Sequence, residues 1–169
     1  MVERIMNGGG RFQDDGRTLA DFVDEVVVVC PRCSDRALVR PLEDPAADPR
    51  SRWSLLRRVT CGHCGYVREQ TKPTMSIGAP HDPYFSLPLW LTVEADGHTV
   101  WAFNAEHVDY LLQCVSATLR VRAPDPDRHR PQTLMERLPA WMLAASSRDR
   151  MTKALRALAT RAAHDQTVN

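Results

Sequence analysis

The chain has 169 residues and a mass of 19.1 kDa, which suits one ordinary domain or two small ones. With 43% hydrophobic and 25% charged residues, the composition excludes wholesale disorder; no apolar run approaches the ~18–20 residues of a membrane span, and MVERIMNGGGRFQDDGR at the start lacks the apolar centre of a secretory signal. The net charge of +1 argues against a uniformly basic nucleic-acid binder, and five cysteines in a chain expected in the reducing cytoplasm point to metal rather than disulfides.

In chain order, residues 1–22 read as a disordered tail around Gly8, Gly9 and Gly10, with a short helical turn over 17–24. The β-branched run Val26–Val29 predicts a strand that ends at Cys30. Residues 36–40, 53–60 and 66–70 predict three more, with the acidic, Pro-containing EDPAADPRS as an exposed loop between the first two. Residues 73–88 hold Pro73, Pro80, Pro83 and Pro88 and read as an extended linker. Asp96-Gly97 between two apolar β-rich runs, 89–95 and 98–103, predicts a two-residue hairpin turn. Asn104 stands at an N-cap position, and Val108, Leu111, Leu112, Val115 and Leu119 follow helical spacing, which predicts a helix over about 105–121. Thr133 and Glu136 have capping-box spacing before a short second helix with Leu138, Trp141 and Met142. Ser146 or Ser147 caps a third helix whose apolar face is Met151, Ala154, Leu155, Leu158 and Ala162. The fold class expected is α+β: an N-terminal four-Cys zinc ribbon of antiparallel strands over 23–72, then the linker, then a hairpin-plus-three-helix unit over 89–163 and a tail over 164–169.

The chemistry concentrates in Cys30-Pro-Arg-Cys33 and Cys61-Gly-His-Cys64, two CxxC pairs separated by 27 residues. Each CxxC turn places two thiolates on one metal ion, and two such turns complete a tetrahedral Cys₄ site for one structural Zn²⁺. Such a closed donor set keeps no open position for activating water, so the expected role is folding rather than catalysis, and nothing else in the chain assembles into a catalytic constellation. A redox reading stands beside this one, because CGHC also serves disulfide exchange where it begins a helix; here Gly65 and the β-like Tyr66-Val67 follow instead. His63 reads as a solvent-facing turn residue, Cys114 as part of a helix core and His107 as a residue of a helical first turn.

The net charge hides segregation: residues 30–72 carry nine basic residues against five acids, 73–119 carry five acids and no Lys or Arg, and 120–161 carry ten basic residues against four acids. Arg32, Arg36, Arg40, Arg57, Arg58 and Arg68 offer a basic face for phosphates, with Trp53 and Tyr66 available to stack on bases. The same arginines also read as solvated strand positions, and a GC-rich genome equally explains 20 Arg against two Lys. Trp90, Trp101 and Trp141 read as core residues of the second unit or, where exposed, as a protein-contact surface.

CPRC and CGHC, followed by DPYFSLPLWL (82–91), GHTVWAFNAEHVDYL (97–111) and ERLPAWMLAASSRDRMTKALRAL (136–158), resemble small bacterial proteins described as carrying a transcription-factor-type zinc ribbon. The resemblance spans about residues 26–160. It implies zinc at Cys30, Cys33, Cys61 and Cys64 and specifies no partner. The expected function is a non-enzymatic zinc-binding module that engages nucleic acid or a nucleic-acid-processing protein through Arg32, Arg36, Arg57, Arg58 and Arg68. The alternative is a protein adaptor without nucleic-acid contact.

Overall fold

The computed structural model describes residues 10–42, 51–72, 74–76, 80–122, 124 and 132–166. They form a mixed α+β fold with eight strands and four α-helices among the described residues. The largest sheet joins β2 (Val26–Val29), β3 (Arg36–Pro41), β4 (Arg57–Thr60) and β5 (Val67–Glu69) in sequence order, all antiparallel. The period of two brings Val26, Val28, Ala37, Val39, Arg57 and Val59 into the buried interior. The strand expected over 53–60 begins only at Arg57, because Ser51–Ser54 coils as a 3-10 turn and Trp53 packs on the core.

The hairpin of β6 (Leu91–Ala95) and β7 (His98–Ala102) forms in the expected register, with Ala95 opposite His98. Asp96 and Gly97 both take positive φ, 53° and 74°, as a type I′ turn requires. Asn104 caps α1 (Ala105–Ser116) by accepting the His107 N–H at 2.9 Å, and its amide donates to the carbonyls of Phe22 and Glu25, each at 2.8 Å. The helix ends five residues earlier than expected. Ala117 is extended, and Leu119–Val121 forms β8, parallel to β1 (Arg11–Gln13). The Arg120 guanidinium binds the last helical carbonyls, Cys114 O at 2.6 Å and Val115 O at 3.0 Å, which satisfies acceptors that further helix would have used. Leu119, expected in the buried stripe, is 54% exposed.

The expected second helix is two pieces, α2 (Leu134–Arg137) and α3 (Ala140–Leu143), split at Pro139, which lacks the N–H that a continuous helix needs. The Thr133–Glu136 capping box is present. In α4 (Arg148–Gln166) the face Met151, Ala154, Leu155, Leu158 and Ala162 is buried against α1 and the hairpin.

Two expectations about the chain's flexible parts need correction. Residues 1–9 and 43–50 lie outside the described residues. The rest of the expected tail, from residue 10, belongs to the fold: Phe12 packs edge-on to Tyr110 at 5.4 Å, and Asp14 is buried, accepting from Thr133 Oγ1 at 2.6 Å and Tyr110 OH at 3.3 Å. The expected linker is likewise tied down over 80–88. Asp82 is buried and accepts three backbone N–H groups, from Tyr84 and Phe85 at 2.9 Å and Leu87 at 2.6 Å. Burial outweighs those donors and holds its carboxyl above the usual range. One buried cluster then runs from β2, β3 and β4 through Tyr84 and Leu89 to Phe103, Tyr110, Cys114 and Met135, so the two expected units share a core.

Candidate functional site

Two turns of matching geometry hold the four cysteines. At the first, the Cys30 N–H donates to Asp35 O at 2.7 Å and Ser34 N–H to Cys30 O at 2.9 Å. At the second, the Cys61 N–H donates to Tyr66 O at 2.9 Å and Gly65 N–H to Cys61 O at 3.0 Å. The residue four places after each first cysteine takes positive φ, 61° at Ser34 and 70° at Gly65, which reverses the chain and closes the turn. β2 and β4 deliver the first cysteines, and β3 and β5 follow the turns. No helix begins at CGHC among the described residues, which removes the dipole that a low-pKa redox cysteine needs at this position.

The four Sγ atoms lie within 4.8 Å of one another. Cys30 Sγ is 3.7 Å from Cys64 Sγ, and Cys33 Sγ is 3.6 Å from Cys61 Sγ. A tetrahedral ion with metal–sulfur bonds of ~2.3 Å sets its sulfurs about 3.8 Å apart, whereas a disulfide needs about 2.05 Å. The spacing is therefore that of a metal cage and not of bridged cysteines. Cys30 and Cys61 are buried, while Cys33 and Cys64 are partly exposed. The Arg32 N–H points at Cys30 Sγ at 3.4 Å, the outer hydrogen bond that orients and stabilises a thiolate. Burial alone would raise the Cys30 thiol; the Arg32 and Cys33 N–H groups and the neighbouring thiols of Cys33 and Cys64 bring it down to about 7. Cys33 gains from the Asp35 N–H, but desolvation and the surrounding sulfurs push it up to about 12. Four thiols packed this closely are a donor set suited to a cation.

No family model, curated protein or solved structure matches the chain. The case for the site therefore rests on its geometry.

The arginines predicted to face nucleic acid divide. Arg57 is 0% exposed, and its guanidinium is spent on Val23 O, Arg52 O and Tyr84 OH inside the core, so its part in a phosphate-binding face is corrected. Arg40 and Arg58 are neighbours across β3 and β4, and each is paired, with Glu25 and Glu69. Arg68 lies over the Phe85 ring at 5.4 Å. Arg32 is exposed beside the first turn, Arg36 is half-buried, and His63 is exposed as expected, 3.3 Å from Asp35. Arg40 and Arg58 are thus compensated, whereas Arg32, Arg36 and Arg68 have no ion-pair partner among the described residues. Sequence reasoning passed over a second basic surface. Arg148, Lys153 and Arg156 of α4 line a groove of about 520 Å³ with Ser116 and Thr118, and Asp149 is the one acid in its lining. None of those three cations has an ion-pair partner among the described residues.

The tryptophans divide, since Trp101 and Trp141 line one pocket and Trp90 is not in its lining. Trp90 sits under the Arg161 guanidinium at 4.3 Å, whereas Trp141 stacks on His98 with ring centres 4.0 Å apart. Trp101 packs against Phe103 and His107. His107, expected merely to open α1, is a core residue: 2% exposed, stacked on Phe22 at 4.9 Å, its Nδ1 accepting the Phe103 N–H at 3.2 Å. Burial, helped by the Arg17 charge, holds it down to about 3. Below its unfolded pKa of about 6.5 the unfolded chain takes up a proton that the native ring refuses, so stability falls as pH drops. This one group is expected to cost about 2 kcal/mol between pH 7 and pH 5. Urea unfolding at the two pH values checks it, and His107→Gln should lose that part of the slope.

Proposed function

We propose that the chain is a non-enzymatic binding module in which one structural Zn²⁺, held by Cys30, Cys33, Cys61 and Cys64, makes a zinc ribbon of the four-stranded sheet, and that its partner is nucleic acid. Four thiolates close the coordination sphere, so the metal would supply folding free energy and fixed geometry rather than a reactive water. One observation carries the choice of partner: the α4 groove, where Lys153 and Arg156 are exposed beside the half-buried Arg148, with Asp149 as the one acid of the lining. Arg148, Thr152 and Arg156 recur every four residues, which sets them in a row along one helix face. Phosphate oxygens are the ligand that such a row fits, and the contact is sequence-independent.

The reading is tested by the salt dependence of binding to duplex DNA and to single-stranded RNA. Three phosphate contacts predict a log–log slope near about −2.7 for duplex DNA, a loss of roughly 40-fold in affinity between about 50 and 200 mM salt. Lys153→Gln and Arg156→Gln should each reduce the slope by ~1, while Arg58→Gln, already paired with Glu69, should change it little. Absent or salt-independent binding would overturn the nucleic-acid part and favour the protein adaptor.

A further inference from the structure

A pocket of about 170 Å³ lies between β7, α1 and the α2–α3 segment, walled by Trp101, Leu111, Leu138 and Met142. Its size compares with apolar cavities of about 150 Å³ that accept a benzene-sized guest. The walls are mostly apolar, with three polar side chains, Thr99, His107 and Arg137, set among them. His107 lines the pocket, and because its Nδ1 accepts the Phe103 N–H, Nε2 carries the proton. That Nε2–H has no hydrogen-bond partner among the described residues and is not sealed off inside the protein, although the residue as a whole is only 2% exposed. Arg137, exposed at the same pocket, has no ion-pair or side-chain hydrogen-bond partner among the described residues. The other polar side chain of the lining, Thr99, already donates to Glu94.

A donor that opens on an apolar pocket is available to an acceptor that a ligand brings. Water can enter this open pocket and reach its polar groups, but it leaves the apolar walls uncovered. A small organic molecule satisfies the site better: an apolar ring for the walls, an oxygen acceptor for His107 and a negative charge for Arg137. We infer that this pocket is a binding site for a small aromatic carboxylate, with His107 Nε2–H donating to an oxygen of the ligand and Arg137 pairing with its charge. Trp101 and Trp141 then serve as pocket walls instead of a flat protein-contact surface.

Benzoate and 4-hydroxybenzoate are suitable probes on the full-length zinc-loaded chain. Titration calorimetry and the histidine Nε2–H resonance report on them together. We expect 1:1 binding with a dissociation constant of about 1 mM or below and a shift of the His107 resonance on saturation. Arg137→Gln, at an exposed position that leaves the core intact, should weaken binding roughly tenfold; His107→Phe should do the same by removing the donor. Toluene should bind more weakly than benzoate. No binding up to about 10 mM of either acid, an unmoved His107 resonance, or affinities unchanged in Arg137→Gln would overturn the inference. None of these outcomes depends on nucleic-acid binding.

Discussion

Cys33→Ser, or exhaustive chelation of the wild-type chain, is expected to empty the metal site and unfold the four-stranded sheet. Elemental analysis should give one zinc per chain before and none after. The size of the effect follows from where the cysteines sit. Cys30 and Cys61 belong to the same buried cluster as Val26, Val28, Val39 and Val59, so the cage and the sheet's interior are one structure. Zinc bound to such peptides contributes about 10–16 kcal/mol at neutral pH, against a net stability of about 5–15 kcal/mol for a whole domain. Because that cluster continues into Phe103, Tyr110 and Cys114, the loss should spread to α1 and lower the cooperativity of thermal unfolding, not merely fray one end. A full zinc load in Cys33→Ser would contradict the site. Thiol labelling adds an independent check. The zinc-loaded chain should resist labelling, with Cys114 also silent because burial outweighs the nearby Arg120 and pushes its thiol up to about 11. Fast dithiol reactivity at Cys61 in the loaded protein would favour redox chemistry instead.

The parts of this fold that were legible in the sequence are those in which local chemistry and tertiary context agree. Asp96-Gly97 needs only its own two residues to make a turn, and Asn104 and the Thr133–Glu136 box need only the backbone beside them. The paired CxxC spacing is read with equal ease, since a metal cage constrains four positions at once. What failed depends on partners far away in sequence. Residues 11–13 look like tail because three residues carry no periodicity, yet β8, over a hundred positions later, pairs with them. That pairing is also what takes Leu119 out of the helical stripe. Residues 80–88 look like a linker because prolines are plentiful, and a single aspartate, Asp82, gathers the free N–H groups that make them a loop of fixed shape. Arg57 shows the opposite case. Strand alternation places it on the same face as the buried Val59, so its position was readable; its residue type argued for solvent and misled.

Arg57→Ala is expected to destabilise the chain by about 4 kcal/mol or more, a large share of any domain's net stability. Among the described residues the side chain is the largest that is fully buried, and it joins three segments. Its guanidinium donates to Val23 O at 2.9 Å ahead of β2, to Arg52 O in the 3-10 turn, and to Tyr84 OH at 2.9 Å in the 80–88 loop, while lying over the Tyr84 ring at 4.4 Å. Truncation leaves a cavity and strips buried carbonyls of their donor at once. Burial draws its pKa below the ordinary arginine value, against the Tyr84 and Asp24 contributions, so the native fold bears a desolvation cost that these contacts offset. Arg57→Lys should recover only part of the loss, because an ammonium cannot reproduce the planar fork. Arg57→Met, which keeps the stem's volume, should fall between Lys and Ala. Urea midpoints with unchanged m-values measure the series. Its bearing on function is a separation of effects. Folded Arg57→Met should retain nucleic-acid affinity and its salt slope, whereas Lys153→Gln should lose affinity without losing stability. A near-neutral Arg57→Ala would show that the three segments are held by other contacts.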